Sequence, residues 1–149
     1  MADEIQILRT YKVFWKLLRE NTPILYQNLK DTDATCHMFL QPWIITLFSN
    51  SFEIETCAVL WDQIFLYGQN HILRIALAIC QITERRFRHE MAPKDPSDFD
   101  DFDADFQAVK KLRNAREYVQ LDELVYSLRH QKLELKYIDK LFDKIRKKI

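Results

Sequence analysis

Apolar residues recur along this chain at three- and four-residue intervals, and the intervals outline a series of helices. Ile7, Leu8, Tyr11, Phe14, Trp15 and Leu18 make a first stripe, with Arg9, Lys12, Lys16 and Arg19 kept off it. Asn21-Thr22-Pro23 should stop that helix, and Thr22 can cap a short one carrying Leu25 and Leu29. Residues 30–35 are polar and read as a loop, after which Gln41-Pro42 opens a new helix with proline at its tolerated first position. The stretch from Pro42 to Cys80 organises the rest. Within it, Ile54, Cys57, Ala58, Trp61, Ile64 and Phe65 share one helical stripe. Asn50 or Ser51 can cap its start, with Glu53 closing a capping box if Asn50 is the cap. Gly68, the only glycine, follows where a helix can end in a left-handed conformation. The next run, Ile72 to Ile79, is apolar nearly all round apart from Arg74, which predicts a helix enclosed by others.

After Cys80 the character changes. Residues 84–90 form a charged helical end, and Pro93 and Pro96 mark a turn or linker. Phe102, Phe106, Val109, Leu112, Ala115 and Val119 then fall on neighbouring parts of one predicted helix. Leu121, Leu124, Val125 and Leu128 form a second stripe, and Ile138, Leu141, Phe142, Ile145 and Ile149 a third, in a basic terminal helix. The expected organisation is a subdomain over residues 1–90, a linker over 91–98, and a helical extension over 99–149 packing on the subdomain.

Composition narrows the class. One glycine and four prolines in 149 residues leave few of the tight turns that β-hairpins need, so the chain reads as all-α, a multi-helix orthogonal or bundle-like domain. Lys+Arg and Asp+Glu balance at 22 each, and no overall field favours nucleic acid or an anionic membrane. Three cysteines without framework spacing point to free thiols in a reducing compartment. The longest unbroken apolar run, Ile75 to Cys80, falls far short of the roughly 20 residues of a membrane span. The acidic start Met1-Ala2-Asp3-Glu4 is unlike a signal peptide. A cytoplasmic location is expected.

The residues of the central stretch also carry a resemblance. Trp43-x-x-x-Leu47-Phe48, then Leu60-Trp61-Asp62, then Gly68, then the run Ile72 to Ile79, resembles the C-terminal half of a TBC (Tre-2/Bub2/Cdc16) domain, the module of Rab GTPase-activating proteins. Phe14, Leu17, Leu18, Pro23 and the segment Leu25 to Leu29 are similar to that family's lead-in helices, so the likeness runs from about Tyr11 to Arg86. It implies a TBC C-terminal-subdomain-like fold whose structural signature is Trp43, Phe48, Trp61, Asp62, Gly68 and Arg74. It also implies a Rab-family GTPase as partner of the complete domain, a role in vesicle trafficking, and a place peripheral to membranes through that Rab. Family members act through an arginine and a glutamine supplied in trans, an arginine finger contributing roughly 10³–10⁵ in rate. The family's Ile-x-x-Asp-x-x-Arg motif does not occur in this chain. Tyr118-Val119-Gln120 spells the family's Tyr-x-Gln, but it lies after the Trp-Asp segment and lacks flanking glycines. The implied identity is a regulatory activator fragment without its fingers, not itself an enzyme and with no catalytic residue, completed by a missing N-terminal half. The alternative is a non-catalytic helical interaction module or scaffold.

Trp61 is expected to fill the core, and Asp62 to pair with Arg74 across the Gly68 turn, because a charge in an apolar helix needs a partner. The run Asp95, Asp98, Asp100, Asp101, Asp103, Asp105 suggests a calcium loop, but Phe106 and Leu112 stand where glycine and a bidentate glutamate are required. An acidic helix N-terminus is the expected reading. Cys36-His37 has no second ligand pair at zinc-site spacing, and no metal or cofactor is expected. The basic end from Lys144 to Ile149 reads as a solvated helix terminus.

Overall fold

The computed structural model describes residues 2–91 and 107–148. Every regular element among them is helical. In order these are α1 (Ala2–Asn21), α2 (Pro23–Asp31), α3 (Cys36–Thr46), α4 (Ile54–Tyr67), α5 (His71–Arg86), α6 (Arg88–Met91), α7 (Ala108–Arg113), α8 (Leu121–Arg129) and α9 (Leu135–Lys148), with a 3₁₀ turn at Ala115–Glu117. The fold is all-α, as the patterning implies.

Helix α5 is the centre. Eleven of its sixteen residues are buried, from His71 to Thr83, because its apolar side chains point in every direction and need cover on every side. That cover comes from α1, α2, α3, α4, α6, α7 and α8, which all touch it. On α1 the buried residues are Val13, Phe14, Leu17 and Leu18, while Ile7 and Leu8 at the start of the expected stripe are exposed. Helix α9 lies along α1, where the Tyr137 hydroxyl donates to the Glu20 carboxylate at 2.7 and 2.8 Å. Asn70, just before α5, donates to Asp139 at 2.6 Å.

Several expectations are corrected. Helix α3 begins at Cys36, not at Pro42, and the proline sits inside it. Losing one backbone bond and crowding the preceding turn costs about 3 kcal/mol. Phe39, Leu40 and Trp43, all fully buried on the same helix, each contribute about 1.5–3 kcal/mol and together outweigh that cost. Helix α4 begins at Ile54 after an extended Glu53, with no side-chain cap, so neither Asn50 nor Ser51 caps it. The turn before it instead carries Leu47 and Phe48 at φ +48° and +69°, unusual for large side chains. Phe48 is fully buried against Trp43, ring centroids 5.9 Å apart, and its N–H reaches the Trp43 carbonyl at 2.9 Å. Tertiary packing holds the strained turn.

The helix expected through Val119 ends at Arg113, and the chain passes through Asn114 into the 3₁₀ turn. Met91, expected to begin the linker, is buried and bonded through its N–H to the Phe87 carbonyl at 3.1 Å, so it belongs to the packed body. The rest of that linker, Phe102, Phe106, Ile149 and the whole aspartate run lie outside the described residues.

Candidate functional site

Trp43 and Phe48 are fully buried and form an aromatic cluster with Phe39 on α3 and the following turn, Trp43 meeting Phe39 edge-to-face and Phe48 at a tilt. The Trp43 indole N–H donates to Ser51 Oγ at 3.1 Å, and Ser51 in turn donates to the Arg113 carbonyl at 3.2 Å. Ser51 therefore fastens α7 to the aromatic cluster. Its sequence neighbours suggested a cap, and only the fold reveals the relay.

Trp61 is not a core residue. It is half-buried on α4, and its indole N–H donates to the Leu47 carbonyl at 2.8 Å, which steadies the left-handed turn. Helix α4 meets the core chiefly through Cys57 and Leu60. Ile54, Ala58, Trp61 and Phe65, at i, i+4, i+7 and i+11, form a ridge on its outer side. Phe65 is 87% exposed and Ile54 61%, with Leu66 at 74% beside them and Ile45 at 69% on α3. The apolar stripe on α4 is thus wider than the surface the core covers. Gly68 closes the helix at φ +96°, its N–H on the Ile64 carbonyl at 2.8 Å, a backbone state that side-chain-bearing residues rarely adopt.

Asp62 does not pair with Arg74. It is exposed, and the one ion pair among the described residues is Arg146–Asp143. Arg74 is held by neutral groups: Nε donates to Gln131 Oε1 at 3.2 Å, Nη2 to the Leu128 carbonyl at 3.5 Å, and Nη1 lies 3.3 Å from His71 Nδ1. Gln131 returns a bond to the Arg74 carbonyl at 3.0 Å, so one amide clamps both ends of the residue. A guanidinium can only donate, which makes His71 Nδ1 the acceptor and leaves Nε2–H to donate to Gln63 Oε1 at 3.0 Å. Burial, then the Arg74 charge, lowers the His71 pKa to about 4, so the imidazole is neutral at physiological pH. The presence of His71 and Arg74 one turn apart in an apolar helix was the sequence signal for this network. Its partner Gln131, 57 positions away, carried none.

The remaining candidates are accounted for by packing. Tyr118 is buried, its hydroxyl 2.8 Å from Thr83 Oγ1 and donating to the Lys111 carbonyl at 3.0 Å, with burial raising its pKa. Gln120 stands exposed at the start of α8. Cys36, Cys57 and Cys80 are buried thiols; burial pushes Cys36 up to about 12 and raises the others, which keeps them protonated and unreactive. His37 is exposed beside Cys36, and no group of three or more metal-ligating side chains converges among the described residues. What the surface offers is an apolar ridge and a donor-only guanidinium.

Comparison with known sequences agrees with the fold. The profile of the Rab-GTPase-TBC domain matches residues 2–87. TBC1 domain family member 14 from Rattus norvegicus is 30% identical over 83 residues, which are 56% of this chain and 12% of that protein. Drainin from Dictyostelium discoideum is 34% identical over 58 residues, 39% of the chain and 13% of that protein. TBC1 domain family member 5 homolog B, also from Dictyostelium discoideum, is 34% identical over 67 residues, 45% of the chain and 7% of that protein. These matches span only 7–13% of each relative's length, while the family profile covers more than half of this chain. The chain belongs to the Rab-GTPase-TBC domain family.

Proposed function

We propose that this chain is the C-terminal half of a TBC domain from a Rab GTPase-activating protein, supplying binding surface while the arginine and glutamine fingers come from elsewhere in the complete domain. Residues 1–90 carry the family part and residues 99–149 an extension, whose described helices α8 and α9 pack on α5 and α1. The partner is a GTP-bound Rab-family GTPase, and the protein works at the membrane that the Rab occupies. No helix among the described residues is long and apolar enough to cross a membrane.

The observation that carries this reading is the bare apolar ridge of α4, lying inside the segment that matches the family. An apolar surface rimmed by polar residues marks an interaction site. The remainder of the TBC domain is the surface that would cover it. A second reading, a non-catalytic interaction module or scaffold, uses the same ridge with no catalytic half to complete it.

Phosphate release from a panel of GTP-loaded Rabs, with the chain alone and with the chain joined to the remainder of a TBC domain, separates them. The chain alone should leave hydrolysis at its intrinsic rate. The joined protein should accelerate at least one Rab by roughly 10³–10⁵. Acceleration by the chain alone would refute the absence of fingers, and no acceleration in either form would favour the scaffold reading.

A further inference from the structure

A groove of about 490 Å³ opens between α4, α5 and α8, on a different flank of α4 from its outer ridge. Asp62, Leu66, Tyr67, His71, Arg74 and Arg129 are among the residues that line it. Arg74 is half-buried in its wall. A guanidinium that has lost part of its hydration is stabilised by an opposite charge, and breaking up or omitting that partner is unfavourable. None is supplied here. The contacts of Arg74 are the Gln131 amide, the Leu128 carbonyl and a His71 imidazole kept neutral, and Asp62 across the groove forms no ion pair. Arg129 adds a second cation at the exposed edge, so two positive groups face one negative.

The donor arithmetic is specific. Of the five guanidinium N–H groups, Nε uses its only one on Gln131, and Nη1 and Nη2 use one each on His71 and Leu128. One N–H remains on each of Nη1 and Nη2, two charged donors left for an anionic acceptor. The guanidinium is already oriented by the Gln131 clamp, which reduces the ordering cost of a third party. Beside it stand the exposed side chains of Leu66 and Tyr67 and the partly exposed Val125.

We propose that this groove is the docking site for an acidic segment of a protein partner, in which an aspartate or glutamate accepts the unused N–H groups of Arg74 and a neighbouring aliphatic or aromatic side chain packs against Leu66 and Val125. The site does not depend on the Rab-activator reading, since it needs neither finger nor the remainder of the domain.

The test is to pan a random dodecapeptide phage library on the intact chain and to measure the enriched peptides by fluorescence anisotropy. The expected consensus is Asp or Glu adjacent to a bulky apolar residue. Changing that acid to its amide, or Arg74→Gln in the protein, should weaken binding by at least about tenfold, the scale of a charge-assisted contact. Arg129→Gln should weaken it less. Asp62→Asn should tighten it, because it removes the one opposing charge. If circular dichroism shows Arg74→Gln to be unfolded, the exposed pair Arg129→Gln and Asp62→Asn decides, with opposite signs expected. No enrichment, a consensus without a carboxylate, indifference to the acid-to-amide change, or failure of the two exposed variants to move affinity in opposite directions would overturn the proposal.

Discussion

Ser51 shows how one hydroxyl can join three elements. With Ser51→Ala, the buried Trp43 indole N–H and the partly buried Arg113 carbonyl both lose their partner. Leaving buried polar groups unpaired costs about 1–3 kcal/mol, and urea denaturation should show a loss of that size; a change below about 0.5 kcal/mol, the range of ordinary surface substitutions, would mean the relay is not formed. Glu84 does comparable work at a distance. Its carboxylate accepts the Leu25 N–H at 2.9 Å, in the first turn of α2, where Thr22 itself makes no capping bond and donates back to the Leu18 carbonyl. A carboxylate from α5 thus caps another helix, and Glu84→Ala should cost about 1 kcal/mol, the usual size of a lost cap, with Glu84→Gln costing less. His71 gives the chain a pH response. Its pKa is about 4 in the fold and near 6.5 when exposed, so the unfolded chain takes up its proton first as pH falls. Its contribution to stability is complete above pH 6.5 and is lost progressively down to about 4. The denaturation midpoint should fall over that window in the wild type and fall less in His71→Gln; equal slopes would show that His71 is not the group responsible.

At the level of elements, α5 and α4 differ in what their sequences disclosed. The run Ile72 to Cys80 is apolar on every side, so its enclosure follows from composition without knowing any neighbour. Helix α4 is a stripe, and a stripe fixes a face without fixing its edges. Cys57 was placed inward and is, but Leu60, outside the expected stripe, is the other buried residue, whereas Ile54, Ala58 and Phe65 within it are bare. Which edge is covered depends on what packs there, and that is not local information. Leu60→Ala should therefore cost about 2–5 kcal/mol through lost burial and a cavity, while Phe65→Ser should change stability by less than about 0.5 kcal/mol. A large loss in Phe65→Ser would place that side chain in the core. Proline misled for a related reason: Pro42 reads locally as a helix start, but the buried face of α3 continues through it.

Across the whole molecule, the helical class and the central hub were legible because they rest on periodicity and on scarce turn residues. The candidate site was legible only in part. Gly68 stops α4 where expected, and Arg74 stood out as a charge in an apolar run, but its true partners lie in and after α8, beyond any local pattern. The extension is wired into the family part by Ser51 to Arg113, Arg74 to Gln131, and Glu20 to Tyr137, so the described residues share one hydrophobic core. Against that shared core the bare face of α4 is the exception that needs an explanation, and the remainder of a TBC domain is the one proposed here. Amide hydrogen exchange on the chain alone and on the chain joined to that remainder measures this directly. The account predicts that the α4 amides from Ile54 to Tyr67 slow markedly in the joined protein while those of α8 do not change. Exchange in α4 that is identical in the two proteins would contradict it.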